Sequence, residues 1–409
     1  MANEELLFIY KDDGTGVSTL LCIESTDTSY ELKEKVLENV PEDSKVPEVP
    51  EVPVVLSSSL PAQFKQDNLV VIDSVNSGTG RSEFEKDLYS KILGPILKKL
   101  GISHTYFKTT SSSSISEFAK SIELNHQSYL IIFISGDTSI NEFLNSLPIL
   151  VNNNINTPLY IANISAGTGN ALMSSLGANS PIQCIQQLFV GSPSKFHLYE
   201  TQFKPSGGLN LQNNQIVSKM LFFAVTSWCF HSSLVADSDT PELRKLGVSR
   251  FGVAAQQNLE KEQRYDGDLK ISNFKDKTII SEINGPYSYL VITPLTNFEE
   301  KFKISPLGNV KENSLYIIEL GFQQDNNVLL DVMKEVYDNG SHIKDEKVNY
   351  LKVEDGKEIH LKINSTEDSK LRFCVDGTII KLIHDTDENL ELVIKGGVEL
   401  PGWDLFLVV

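Results

Sequence analysis

Residues 130–134 read Leu-Ile-Ile-Phe-Ile, a continuous apolar run of the kind found in a strand buried on both faces. From Ile140 the apolar positions fall at helical spacing instead, through Phe143, Leu144 and Leu147. Between them lies the turn Ser135-Gly136-Asp137-Thr138, and Ser139 with Glu142 three residues on predicts a capping box that opens the helix. The same alternation recurs around this unit. Residues 69–73 predict a strand, and Ser82 with Glu85 opens a helix whose stripe is Phe84, Leu88, Ile92, Ile96 and Leu100. Pro95 should kink that helix and Gly101 end it. A second strand over 102–108 precedes a helix opened by Ser114 and Glu117 and running through Leu124. A fourth strand over 159–164 leads through Ser165-Ala166-Gly167-Thr168-Gly169-Asn170 into a helix ending at Leu176. Four strands each followed by a helix predict an open, mostly parallel α/β sheet.

The flanks read differently. Residues 6–11 and 17–24 predict two strands around Asp12-Asp13-Gly14-Thr15-Gly16, whose Gly-Thr-Gly suits a hairpin better than a phosphate loop. Residues 41–53 carry Pro-Glu-Val-Pro-Glu-Val-Pro, an acidic spacer favouring extended backbone. Beyond residue 180, short strands are predicted at 290–294, 314–320, 348–353, 358–363, 370–375, 378–383 and 390–394. The expected organisation is a β segment over 1–40, a linker over 41–65, an α/β domain over 66–180 and a β-rich domain over 181–409.

Composition narrows the function. The 409 residues allow two or three domains, and 40% apolar with 22% charged residues is ordinary for a globular protein. The net charge of -18 argues against a nucleic-acid partner and against constitutive docking on anionic membrane through a polybasic patch. Cys22, Cys184, Cys229 and Cys374 lie far apart, so neither a zinc site nor a disulfide framework is signalled, and reduced thiols in a cytoplasmic protein are expected. The opening Met-Ala-Asn-Glu-Glu-Leu-Leu-Phe lacks the features of a signal peptide. The most apolar stretch, 221–236, is interrupted by Thr226, Ser227, His231, Ser232 and Ser233 and is too short to span a bilayer.

Three loops stand where an open α/β sheet binds ligands, outside the strand carboxyl ends. Asn76-Ser77-Gly78-Thr79-Gly80-Arg81 and Gly167-Thr168-Gly169-Asn170 are glycine-rich and could wrap phosphate through backbone N–H groups, although neither is a Walker A loop. Asp137, at an anion-attracting turn, suggests a base or a metal ligand beside a phosphate; the alternative is a residue that only caps its helix.

The order of these blocks resembles the diacylglycerol kinase catalytic-domain superfamily, and within it the sphingosine and ceramide kinases. The resemblance rests on Asn76-Ser77-Gly78-x-Gly80, then Ser135-Gly136-Asp137 with Glu142 and Asn145-Ser146-Leu147, then Ala166-Gly167-Thr168-Gly169-Asn170-Ala171-Leu172. Thr226-Ser227-Trp228, Val235-Ala236-Asp237-Ser238-Asp239 and Arg244-Lys245-Leu246-Gly247-x-x-Arg250-Phe251 are similar to a fourth block, and Val375-Asp376-Gly377 to the last. It implies an N-terminal α/β domain and a C-terminal antiparallel β-sandwich domain that holds lipid, with ATP and Mg²⁺ between. It further implies Asp137 as the base, and Asn76 to Arg81, Ser135, Gly136, Thr138, Gly167 to Asn170, Arg244, Arg250, Asp376 and Gly377 on the ATP side. Asp237 would contact the polar headgroup. No residue is assigned as a metal ligand.

Three positions depart from that pattern. Thr138 replaces a glycine, Val75-Asn76-Ser77 lacks an Asn-Pro, and Thr378 replaces a glutamate. Two function classes follow. One is an ATP-dependent lipid kinase acting on a sphingoid base, ceramide or diacylglycerol, touching membrane transiently. The other is a non-catalytic relative that binds lipid or nucleotide. A soluble-substrate kinase such as the NAD kinases is disfavoured by the lipid-type fourth block.

Overall fold

The computed structural model describes residues 3–26, 29–37, 52–75, 87–123, 127–149, 156–167, 169–384 and 389–409. The predicted parallel sheet is present, in the order Thr105–Lys108, Asn68–Asp73, Tyr129–Ser135, Thr157–Ser165, Trp403–Val408 and Pro193–Lys195. Its first five strands run parallel, with Val71 opposite Ile132 and Ile131 opposite Ile161. Every residue of Tyr129–Ser135 is buried, which explains the absence of polar alternation in that run. The helix before Gly101 contains a π-helical turn, Tyr89–Leu93, directly ahead of Gly94–Lys99, and Pro95 stands at the start of the α segment. The ladder runs on through the π turn, with the Gly94 N–H reaching the Tyr89 carbonyl, and the wider turn accommodates the proline that follows it. The expected cap at Ser82 and Glu85 lies outside the described residues.

The expected boundaries shift in two places. Trp403–Val408 pairs in parallel with Thr157–Ser165, and Pro193–Lys195 pairs antiparallel on its far side, so the sheet draws two strands from beyond residue 180. The edge of Thr157–Ser165 is apolar and needs a partner, which Leu405 and Leu407 supply from the core side. Within the expected 41–65 linker, Val54–Leu56 is a strand and Ala62–Lys65 a 3₁₀ turn. Gln63 there is fully buried and donates to the carbonyls of Leu188 (2.8 Å) and Gly191 (3.2 Å).

The N-terminal segment forms a small sheet in the order Tyr30–Leu37, Ser18–Ser25, Asn3–Lys11, Val54–Leu56. The Gly-Thr-Gly is part of a hairpin turn closed by Gly16 N–H to the Asp12 carbonyl at 2.7 Å. Phe8 and Phe64 both pack on Phe189, each with ring centroids 5.0 Å apart, and fix this sheet to the α/β core.

The β-rich portion is two antiparallel sheets. One has six strands, Lys219–Phe222, Leu198–Lys204, Leu390–Val398, Lys357–Ile363, Gly267–Asn273 and Ile279–Asn284. The other has eight, Ile216–Val217, Gly208–Asn210, Thr378–Leu382, Arg372–Val375, Thr226–Cys229, Tyr287–Thr293, Ser314–Gly321 and Val348–Glu354. Trp228, Phe373, Phe203, Leu269 and Leu392 fill the space between them. The opposite face of the larger sheet carries Tyr289, Val291 and Ile318, covered by Leu329, Val332 and Val336 of helix Asn326–Tyr337 with helices Phe230–Ser238 and Ser249–Leu259. All seven predicted strands are present. This α/β plus β-sandwich arrangement is the expected fold class.

Candidate active site

The helix after Tyr129–Ser135 begins at Asp137, two residues earlier than Ser139, with Gly136 as its cap in extended backbone. Glu142 does not close a capping box; it accepts from the Ser116 N–H at 3.2 Å on the neighbouring helix. Asp137 is therefore a first-turn residue whose carboxyl is buried. Its Oδ2 accepts the Ala171 N–H at 2.6 Å, and its Oδ1 is buried with no hydrogen-bond partner among the described residues. Burial, with the nearby Asp376 carboxylate, pushes the Asp137 carboxyl up to about 7, against the pull of the Ala171 and Leu172 N–H groups.

The loops after the third and fourth strands touch each other. A Cβ on Gly167 would lie 2.6 Å from the Gly136 Cα, so position 167 takes no side chain without a backbone shift, and one on Gly136 would be tight at 3.2 Å from the Gly167 Cα. Asn170 braces the second loop, accepting from the Gly167 N–H at 3.2 Å and donating to the Gly167 carbonyl at 2.9 Å. Ser135 is fully buried, with its hydroxyl turned onto the Gly136 carbonyl at 3.2 Å. Asn76, Ser77, Gly78, Thr79, Gly80, Arg81 and Thr168 lie outside the described residues.

Asp376, expected beside the nucleotide, uses its carboxylate elsewhere. Oδ1 accepts from the N–H groups of Ala224 (3.0 Å) and Val225 (2.7 Å), and Oδ2 from Phe223 N–H (2.9 Å) and Asn141 Nδ2 (2.8 Å). Four donors on one buried carboxylate bind helix Asp137–Ser146 to the β-rich portion, and they counter the burial that pushes this group up to about 6. Asn145 adds to the junction, accepting the Leu221 N–H at 2.8 Å and donating to its carbonyl at 3.0 Å.

Arg244 and Arg250 converge on one carboxylate. Arg244 makes a bidentate pair with Asp239, both contacts 2.8 Å, and Arg250 approaches the same group at 3.3 Å. Arg250 keeps its Nε buried and unpartnered, and burial lowers its pKa. Asp237, the expected headgroup contact, faces away from this group, paired with Arg372 at 2.6 Å and Asn258 at 3.0 Å. Helix Phe230–Ser238 ends between the two acids, and residues two apart project about 200° apart around a helix. Asp239, and not Asp237, borders the cavity with the two arginines.

These groups border one cavity of about 540 Å³. Gly136, Asp137, Gly167, Asp376 and Gly377 line one part, and Asp239, Arg244 and Arg250 another. The rest is apolar, with Phe230, Leu234, Phe251, Phe298, Phe302 and Met333 among its walls, interrupted by His231, Tyr289 and Glu299. None of these walls was singled out in the sequence as a binding residue. The available signals were the polar His-Ser-Ser inside the apolar 221–236 run and the Phe298, Phe302 spacing. Among the described residues no cluster of three or more His, Cys, Asp and Glu could hold a metal, and no helix is long and apolar enough to cross a membrane.

Comparison with known proteins places this geometry. Residues 68–201 match the diacylglycerol kinase catalytic domain. A sphingoid long-chain bases kinase 1 of Arabidopsis thaliana is 29% identical over 140 residues, which is 34% of this chain and only 18% of that protein's length. A diacylglycerol kinase structure from Bacillus anthracis str. Sterne aligns with 84% of this chain and 97% of its own at 12% identity and a TM-score of 0.50. A candidate diacylglycerol kinase of the same strain reaches 0.56 at 14% identity over the same shares. Residues 68–201 thus match the diacylglycerol kinase catalytic domain in sequence, and most of the chain is similar in fold to a candidate diacylglycerol kinase at 14% identity.

Proposed function

We propose that this protein transfers a phosphoryl group from ATP to the hydroxyl of a lipid, with Asp137 as general base. The observation that supports it is the unpartnered, buried Oδ1 of Asp137 on the wall of a largely apolar cavity. A carboxyl lifted to about 7 is matched to taking a proton near neutral pH. The Ala171 N–H fixes Oδ2, so Oδ1 is the atom left to receive the acceptor's proton. The apolar walls bury the lipid's hydrocarbon and exclude water from the carboxyl.

The residues present fit a nucleotide. Gly136 and Gly167 bring two loop backbones into contact at the cavity wall, where side chains would not stand between a phosphate and the main chain, and Arg250 lines the same cavity. Mg²⁺–ATP, when bound, supplies the phosphoryl group and neutralises its charge. Asp376 does not suit Mg²⁺, because all its oxygens are engaged by protein donors. Arg244 and Arg250 share one Asp239 and so keep a net positive charge for phosphoryl oxygens. The acceptor is a sphingoid base, ceramide or diacylglycerol, met by transient contact with membrane.

Labelled γ-phosphate transfer from Mg²⁺–ATP to these three lipids in detergent micelles tests the reading, with Asp137→Asn as control. Transfer to one lipid, reduced by about 10² or more in the variant, is expected. Transfer undiminished in Asp137→Asn, or none to any lipid by folded protein, overturns it.

A further inference from the structure

Between strands Gly208–Asn210 and Ile216–Val217 the chain turns through residues 211–215, and its own hydrogen bonds hold that turn. The Leu211 N–H donates to the Ile379 carbonyl at 2.9 Å, and the Gln212 N–H to Oδ1 of the buried Asn210 at 2.9 Å. The Asn214 N–H reaches the Asn210 carbonyl at 2.8 Å, and the Gln215 N–H reaches Asn213 Oδ1 at 3.0 Å. Asn214 takes φ +58°, a left-handed conformation that asparagine accepts more readily than most residues. A built turn thus carries Gln212. Its side chain is exposed and lines the cavity beside Asp137, Thr138, Ser139 and Gly377. Nε2 donates to the Gly377 carbonyl at 3.2 Å, and Gly377 is the position where a Cβ would meet the Thr138 hydroxyl. Gln212 therefore reaches the turn that carries Asp137, although it comes from the β-rich portion. The contact with Gly377 uses one of two Nε2 hydrogens. The other hydrogen and Oε1 have no partner among the described residues.

Other side chains near this corner are committed or turned away. All the oxygens of Asp376 accept protein donors. Thr378 is 5% exposed and does not line the cavity. Arg244 and Arg250 border another part of the cavity, and no lysine lines it among the described residues. A neutral donor also suits the corner, because a lysine beside Asp137 would favour the ionised carboxylate and pull its pKa down.

We propose that Gln212 is a nucleotide-binding residue, whose carboxamide donates to a phosphoryl oxygen of ATP from the β-rich side of the junction. The inference rests on the reading of this cavity as a kinase site, and goes further by assigning the contact to a turn outside every block of the family resemblance. Phosphoryl oxygens only accept, so the free Nε2 hydrogen is the group that matches them. Asp137 and Gln212 belong to different portions of the chain. A nucleotide held by this turn as well as by the glycine loops therefore depends on the docking that Asp376 secures.

The test is calorimetric binding of Mg²⁺–ATP to the full-length protein at low salt, with Gln212→Ala, Gln212→Glu and Gln212→Lys. The position is exposed, so all three variants should melt as wild type does. Gln212→Ala should bind about threefold to tenfold more weakly. Gln212→Glu should lose about tenfold or more, whereas Gln212→Lys should bind at least as tightly as wild type, and added salt should narrow the gap between them. A phosphate contact requires that opposition of sign, and a side chain that only supports the turn does not produce it. Affinity unchanged in all three variants overturns the contact and leaves the nucleotide site standing. Equal weakening in Gln212→Glu and Gln212→Lys does the same. Failure of the folded wild type to bind Mg²⁺–ATP overturns both the contact and the kinase reading.

Discussion

Thr138 donates its hydroxyl to the Asp376 carbonyl at 3.1 Å, and a Cβ on Gly377 would lie 2.6 Å from that same hydroxyl oxygen. The two positions are fitted to each other across the junction between the α/β sheet and the β-rich portion. Thr138 lies within helix Asp137–Ser146, where a β-branched residue is tolerated and the positive φ expected of a glycine is not required. The departure at 138 thus exchanges backbone freedom for a contact between domains.

Thr138→Gly should therefore lower stability by about 1 kcal/mol, from the lost hydrogen bond and the added helix entropy, with no gain in nucleotide affinity. Gly377→Ala should cost about 2 kcal/mol, since it adds a clash with Thr138 to the strain of φ +84°. Combined with Thr138→Ala, part of that cost should return. Denaturant unfolding of the four proteins of this cycle reads the coupling, and strict additivity would show that the two residues do not meet.

Asp137 carries a pH signature. Its folded pKa of about 7 lies above its ordinary value of 3.8, so the native state binds this proton more tightly than the unfolded chain does. The stability it contributes is complete below pH 4 and is lost as pH rises through about 7. Asp137→Asn should accordingly be more stable than wild type at pH 8, by about 1 to 3 kcal/mol, with the difference vanishing near pH 4. Thermal unfolding across that range measures it. The phosphoryl-transfer rate of the wild type should climb over the same window as the base ionises.

Asp376→Ala should be among the most damaging single changes, at about 3 to 5 kcal/mol, because it strands three backbone N–H groups and the Asn141 amide. Asp376→Asn should cost less, retaining acceptor capacity on one side only. Calorimetric melting of the two variants distinguishes a structural clasp from a ligand contact, which either change would leave stable.

Asp237→Asn should leave lipid affinity within about twofold of wild type while weakening the hold on Arg372. Asp239→Asn should instead release Arg244 and Arg250 and alter nucleotide affinity. Binding titrations with each ligand separate the two acids.

The central sheet was legible because residues 130–134 and 159–164 are apolar without alternation, and only a doubly covered strand needs that pattern. Leu198–Lys204 was missed because its Tyr-Glu-Thr-Gln-Phe places Glu200 at a buried position, where Lys219 and Lys395 pair with it, so hydrophobicity alone does not announce a strand. Ser139 and Glu142 had the spacing of a cap, but the glycine before Asp137 starts the helix sooner and the neighbouring helix claims the glutamate. Asp137 was legible from a local motif. The cavity wall was not, since Tyr289, His231 and Glu299 come from a strand, a helix and a loop that only the tertiary fold brings together. Asp237 was matched to the headgroup from its block alone, and its pairing with Arg372 was not legible because Arg372 lies on a strand more than a hundred residues away.

Trp403–Val408 is made after the whole β-rich portion, yet it completes the sheet that carries Asp137. During synthesis the edge of Thr157–Ser165 stays open, a template that another nascent chain could pair with. A polypeptide halted before residue 403 would keep that sticky margin exposed and be a substrate for chaperones and proteases. Closure of the sheet on which the proposed chemistry depends is thus tied to residues 403–408, which reach it only after the intervening β-rich portion has been made.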